Sequence, residues 1–164
     1  MGMPPQLRNK LISAAGGGAL LIATTLLSGT GGVEGYDHIP KPDVGGVLTV
    51  CSGITGPDVI AGKYYTDAEC QSLFEKHLAP VKKAVDAAVK VPIDEYTRAS
   101  LYSFAFNVGI TAFRNSALLR HLNAGDTAAA CNDLREWVYV NKQRNRGLIN
   151  RREIDRQVCL MGQK

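Results

Sequence analysis

The stretch "VEGYDHIPKPDVGGVLTV" at residues 33–50 holds, among its three carboxylates, Glu34 and Asp43, with a threonine, Thr49, six residues after Asp43. Two carboxyl groups and a hydroxyl form a set that can cleave a glycosidic bond. One carboxyl, held neutral, protonates the leaving oxygen; the other carboxylate, assisted by the hydroxyl, orients a water on the far face of the sugar. Two acids and a threonine within 16 residues also occur on ordinary surfaces, so the assignment turns on whether the chain brings them together.

The surrounding elements can do so. Residues 28–33, "SGTGGV", read as a flexible joint. Residues 41–56, "KPDVGGVLTVCSGITG", with glycine pairs and β-branched residues, read as short strands and a hairpin. In a strand there, Val47, Thr49 and Cys51 share one face, and a hairpin folding back on the preceding segment would set Asp43 and Thr49 opposite Glu34. Beyond it the pattern turns helical. Thr66 and Glu69 form a capping box ahead of "CQSLFEKHLAPVKKAVDAAVK", in which Pro80 kinks or divides the helix. A second helix runs from about Asp94 to Asn107 and ends at Gly109. Residues 116–124 and 126–139 read as two more, separated by Gly125, and "NRREIDRQVCLM" as the last, capped by Asn150 with Glu153. The sum is one α+β unit, mainly helical, with a small antiparallel β element near its start.

Upstream lies a marginal membrane span. No charge occurs from Leu11 to Val33, and the apolar part, residues 11–27, is at the lower limit for crossing a bilayer. Arg8 and Lys10 precede it and Glu34 and Asp37 follow, so the positive-inside rule leaves the N-terminus in the cytoplasm. Only seven of its 17 residues are Leu or Ile, giving about −2 to −4 kcal/mol of insertion energy before Gly16–Gly18 and the hydroxyl residues erode it. The expectation is an uncleaved, releasable anchor. The rivals are a cleaved signal, for which "LLSGTGG" is a poor cleavage site, and a buried core helix.

Charge and cysteines bound the partners. The net charge of +4 is uneven: residues 28–141 carry 10 basic and 13 acidic side chains, residues 142–164 seven and two. That C-terminal patch suits an anionic polymer or surface, or is a solvated helix face. Cys51, Cys70, Cys131 and Cys159 lack zinc or redox spacing, and in an exported chain two disulfides are favoured over reduced thiols. Three connectivities are open; Cys51–Cys70 with Cys131–Cys159 joins neighbouring segments, each loop contributing about 3–4 kcal/mol. His38, His77 and His121 have no ligand spacing and read as structural or surface residues, and Trp137 as core. No metal and no cofactor is expected.

The spacing Glu34–(eight residues)–Asp43–(five residues)–Thr49 resembles the catalytic motif of phage-type lysozymes, the muramidases of glycoside hydrolase family 24. "YTDAEC" (65–70), "AFNVG" (105–109), "ALLRHLNAGD" (117–126), "CNDLREW" (131–137) and "GLINRREIDRQVCL" (147–160) are similar to successive landmarks of the lambdoid-phage endolysins, in the same order. The N-terminus is similar to that of their signal-anchor-release branch. The resemblance implies a lysozyme-like fold, with an anchor in residues 1–29 and a muramidase domain in 30–164. It implies Glu34 as general acid, Asp43 as the carboxylate that positions or activates water, Thr49 as the hydroxyl that helps hold it, and an inverting hydrolysis of the β-1,4 bond between N-acetylmuramic acid and N-acetylglucosamine. Phe106, Asn107 and Ser116 fall where the family lines its glycan groove, and Arg151 or Arg152 where an arginine stands near the acid; Asp37 lacks the motif spacing. Three departures concern the surroundings: Ile54 in "GITG" where a histidine is frequent, Lys41 and Pro42 in place of an aromatic before Asp43, and Leu48 where a larger aromatic is common.

The implied partners are peptidoglycan glycan strands and the bacterial inner membrane, through residues 11–27. The protein is expected to be a monomer without nucleic-acid binding. It is first anchored with its catalytic domain in the periplasm and inactive, then released there as loss of membrane potential frees it. On release, the small-residue faces of the anchor would pack on the domain and pull Glu34 into place. A disulfide-exchange switch is disfavoured, since residues 11–27 hold no cysteine. The alternatives are a lytic transglycosylase, for which Asp43 and Thr49 would be superfluous, and a non-catalytic peptidoglycan-binding protein.

Overall fold

The computed structural model describes residues 3–28, 37–43, 45–51 and 53–163. The apolar N-terminal segment lies on the body of the protein, bent in two. Helix α1 (Pro5–Ala14) is joined by a 3-10 turn (Ala15–Gly17) to α2 (Gly18–Ser28). Pro5 at the first position of α1 loses nothing by lacking an N–H there. Leu11, Ile22, Ala23 and Leu26 are buried in the same apolar cluster as Phe74, Leu78, Leu101 and Phe104, so segment and body share one core.

After the undescribed joint come strands β1 (Asp37–Pro42) and β2 (Leu48–Cys51), paired antiparallel with Lys41 opposite Thr49 and Pro42 opposite Leu48. Helix α3 (Asp67–Ala88) starts at the expected capping box: Thr66 accepts from the Glu69 N–H while Glu69 reaches back to the Thr66 N–H. Pro80 stands inside α3 without ending it, held by the burial of Phe74, Leu78, Val81 and Val85 along one face. Helix α4 (Glu95–Val108), capped by Asp94 and ended by Gly109 at φ +99°, is the central element, touching α2, α3 and α8.

The remaining elements depart from the sequence reading. A short helix α5 (Ile110–Arg114) precedes α6 (Ala117–Asn123). The helix expected over 126–139 stops early: α7 (Thr127–Asp133) passes into a 3-10 turn (Leu134–Glu136) and then a hairpin of β3 (Tyr139–Val140) and β4 (Gln143–Arg144). Its two turn residues, Asn141 and Lys142, both have positive φ, the geometry two-residue hairpins demand, but no glycine announces it. Helix α8 (Arg146–Met161) begins a turn earlier than expected, because Asn145 caps it through the Leu148 N–H; Asn150 and Glu153 lie inside it. The two disulfides are Cys51–Cys70 and Cys131–Cys159.

Candidate active site

Asp43 sits where β1 turns toward β2. Its backbone N–H donates to the Val47 carbonyl, and its carbonyl accepts from the Gly46 N–H. Its side-chain Oδ1 accepts from the N–H groups of Gly45 at 2.8 Å and Val47 at 2.9 Å. The carboxylate therefore closes the turn with one oxygen, and its orientation is set by backbone. Gly46, at φ +81°, supplies the left-handed residue this turn requires. The exposed Asp43 side chain keeps the rest of its accepting capacity toward solvent.

Thr49 lies on β2 opposite Lys41, its Oγ1 donating to the Val47 carbonyl at 2.9 Å. The pleat puts residues 41 and 43 on the same face as 47 and 49, so Asp43 and Thr49 are diagonal neighbours about 7–8 Å apart. Lys41 on that face is paired to Asp37 at 3.2 Å. Two residues beyond Thr49, Cys51 takes φ +60° and is bonded to Cys70 in the first turn of α3. The hairpin is thus stapled to the long helix two residues from Thr49. Beneath it, Val50 and Ile54 exchange both backbone hydrogen bonds and are fully buried. Ile54, which stands where the resembled family frequently has a histidine, is a core residue. Glu34 lies outside the described residues.

The candidate groove residues come from the C-terminal end of α4 and the start of α6. Phe106 is half-buried and meets Phe74 of α3 edge-to-face, centroids 6.3 Å apart. Asn107 is exposed, its Oδ1 accepting from the Arg152 guanidinium. Ser116 is buried: its hydroxyl donates to the Phe113 carbonyl and accepts from the Leu119 N–H, capping α6. Of the arginines of α8, Arg151 and Arg152 are buried. Arg152 faces inward, ion-paired to Asp155 at 3.0 Å and over the Phe104 ring at 5.5 Å, while Asp155 accepts from Ser103. Trp137 packs edge-to-face on Phe104.

An acid–histidine pair does exist, at a place no spacing announced. Asp58 is bonded by Lys76 at 2.8 Å and approached by His77 Nε2 at 3.1 Å, and those partners hold its carboxyl below the ordinary range. Asp58 and Lys76 border a depression of about 410 Å³ lined also by Lys63, Tyr65 and Glu69. None of the sequence-predicted site residues among the described ones lines it, and its charges already pair with one another, Lys63 with Glu69 as Lys76 with Asp58. His38 contacts the Tyr65 carbonyl and His121 pairs with Asp133.

With this geometry in place, the chain was compared with known proteins. The phage lysozyme family matches residues 31–155. The chain is 50% identical to the SAR-endolysin of Enterobacteria phage PA-2 over 165 residues, covering 99% of this chain and 100% of that one. It is 48% identical to the SAR-endolysin of Enterobacteria phage P21 over 165 residues, with the same coverage. Among solved structures, the muramidase domain of SpmX from Asticaccaulis excentricus superposes with TM-score 0.75 at 27% identity, covering 84% of this chain and 94% of that one. The active form of the P1 phage endolysin superposes with TM-score 0.76 at 24% identity, covering 97% and 94%, a likeness of fold.

Proposed function

The chain belongs to the phage lysozyme family, among the SAR-endolysins, and on that premise we propose that it is a muramidase that lyses the host by cutting the β-1,4 bond between N-acetylmuramic acid and N-acetylglucosamine in peptidoglycan. The observation that carries this reading is the β1–β2 hairpin, which sets Asp43 and Thr49 on one face with the carboxylate oriented by two backbone N–H groups. In the proposed reaction Glu34 donates a proton to the leaving glycosidic oxygen. Asp43 receives a proton from the water that attacks the anomeric carbon, Thr49 helps hold that water, and the new reducing end has inverted configuration. Phe106 and Asn107 offer an aromatic edge and an amide to the glycan. Ser116, the third residue of the proposed groove, is buried, with its hydroxyl engaged in capping α6.

The chain divides functionally into an anchor, residues 1–29, and a muramidase domain, residues 30–164. While residues 11–27 span the inner membrane, N-terminus in the cytoplasm, the monomeric enzyme faces the periplasm inactive. Release lets the segment dock. Two facts support the switch. Residues 5–27 contain a stretch long and apolar enough, by length and composition, to cross a membrane. Within the same stretch α2 packs against α3 and α4 and ends at Ser28, six residues before Glu34.

The test is mass spectrometry of glycan fragments released from purified murein by the wild type and by Glu34→Gln. Reducing muramic acid ends, lost at least about 100-fold in the variant, are expected for a general acid. Anhydro ends would make the protein a transglycosylase, and unchanged hydrolysis in Glu34→Gln would remove Glu34 from the mechanism.

A further inference from the structure

The straight span that the composition allows and the bent segment on the body are two forms of the same residues, and one contact belongs to the bent form alone. The helix is interrupted at Ala15–Gly17, and Gly18 restarts it at φ +84°, a conformation suited to glycine. A fresh helix start leaves its first N–H groups without intrahelical partners. The residues at the break are Gly16, Gly17 and Gly18, none with a side chain to cap them. The body supplies the acceptor instead. Glu95, the first residue of α4, accepts from the Ala19 N–H through Oε2 at 2.6 Å. The approach is close: a Cβ on Gly18 would lie 3.3 Å from the same oxygen. The carboxylate also stands at the positive end of the α2 dipole. In an unbroken helix the Ala19 N–H would bond to the carbonyl four residues back, and Glu95 would have nothing to accept.

We propose that Glu95 is a positioning residue for the reaction: it clamps the start of α2 to the body and so holds in register the segment that leads to Glu34. This rests on the reading of Glu34 as the acid and of residues 11–27 as a releasable anchor. Glu95 touches no substrate; it acts through α2. The clamp is polar and lies at the edge of an apolar interface, so it selects the bent, docked form over a straight helix lying on the same surface.

The experiment uses the full-length released protein, with Glu95→Ala, Glu95→Gln and, as control, Glu136→Ala at an exposed site. Amide hydrogen exchange and murein kinetics are read on each. Glu95→Ala is expected to speed exchange in residues 19–26 roughly three- to tenfold, the effect of losing a helix cap, with residues 67–88 unchanged. Its kcat falls while KM holds, because the groove on the body is untouched. Glu95→Gln, which keeps an acceptor oxygen, recovers part of both effects. Wild-type exchange in residues 19–26 of Glu95→Ala overturns the clamp. So does acceleration spread evenly over α3, α4 and α8, which marks general destabilisation, or a rise in KM at constant kcat. Local acceleration in Glu95→Ala together with unimpaired hydrolysis by Glu34→Gln keeps the clamp and removes the assignment of the acid, so the two failures are distinct.

Discussion

The hairpin that carries Asp43 and Thr49 and the segment that leads to Glu34 are attached to the same body by opposite means. The hairpin is fixed covalently: Cys51 of β2 is bonded to Cys70 of α3, two residues from Thr49. The segment is held by apolar faces, chiefly Leu11, Ile22, Ala23 and Leu26, and by polar contacts that include Ala19 to Glu95 and Met3 to Gln157. Apolar burial is non-directional and a bilayer satisfies the same surfaces, so in the proposed anchor-and-release cycle the segment has two environments. The hairpin has one. In the proposed enzyme half of the catalytic set is therefore built once and the other half arrives on a reversible part.

The sharpest way to break that comparison is to cut an equal cavity in each region. Ile22→Ala in the segment and Leu78→Ala in α3 both empty fully buried sites, each at a cost of about 2–5 kcal/mol. Leu78→Ala should lower Tm yet leave the activity of the folded protein intact. Ile22→Ala should undock the segment and lower murein hydrolysis about 30-fold or more at temperatures where α3 and α4 still show native circular dichroism. Equal loss of activity in both variants would mean that segment and body melt together.

Disulfides sharpen the comparison from the other side. Replacing Cys51 and Cys70 by serine, or Cys131 and Cys159 by serine, opens a loop of 19 or 28 residues in separation, and each should cost about 3 kcal/mol in thermal unfolding. Only the first pair neighbours the proposed reactive face. Its loss should lower kcat several-fold as well, since Cys51 then has no bond to hold its left-handed backbone beside Thr49. If both pairs change kcat alike, the staple contributes stability and nothing specific to the site.

What the sequence disclosed follows the same division. Local chemistry was legible where a side chain announces it: the Thr66 capping box, the Asp94 helix start, the Gly109 stop, and the cysteine pairing between neighbouring segments all recur in the structure. The β3–β4 hairpin was not, because Asn141 and Lys142 adopt left-handed backbone without the glycine that signals it. The start of α8 was hidden by Gly147 in its first turn, which broke the helical pattern after its true cap, Asn145. The Asp58–His77 pair joins residues 19 apart that no motif links. At the site, Asp43 and Thr49 could be paired from alternation in one hairpin, whereas the burial of Ser116 under α6 is a tertiary fact. Gly16–Gly18 read only as a weakness of the span; that the segment would bend there, and that Glu95 would meet Ala19, 76 residues away, could not be read from any local pattern.

The smallest effect concerns a part of the body on which the segment rests. Asp86, near the end of α3, accepts from Arg98 and Tyr102 of α4 and from Lys82, tying together the two helices against which α2 packs. Burial acts to raise the Asp86 carboxyl, but the hydrogen bonds from Lys82, Tyr102 and Arg98 outweigh it and hold it below the ordinary value. Burial and the Asp86 carboxylate together push the Tyr102 phenol up. A carboxyl depressed in the folded state stabilises the fold above its unfolded pKa, and that stability is lost as pH falls through the folded value. The group is a third exposed, so the contribution at neutral pH is on the order of 1 kcal/mol or less. Melting followed between pH 7 and about pH 2 should show the wild type losing its advantage over Asp86→Asn below about pH 4. The readout that bears on the comparison is exchange in residues 19–26 at each pH. If the segment is an independent, reversibly docked part, its opening should follow wild type in Asp86→Asn at pH 7, even as the α3–α4 contact weakens. Faster opening there would make this ion pair part of the seat on which α2 docks.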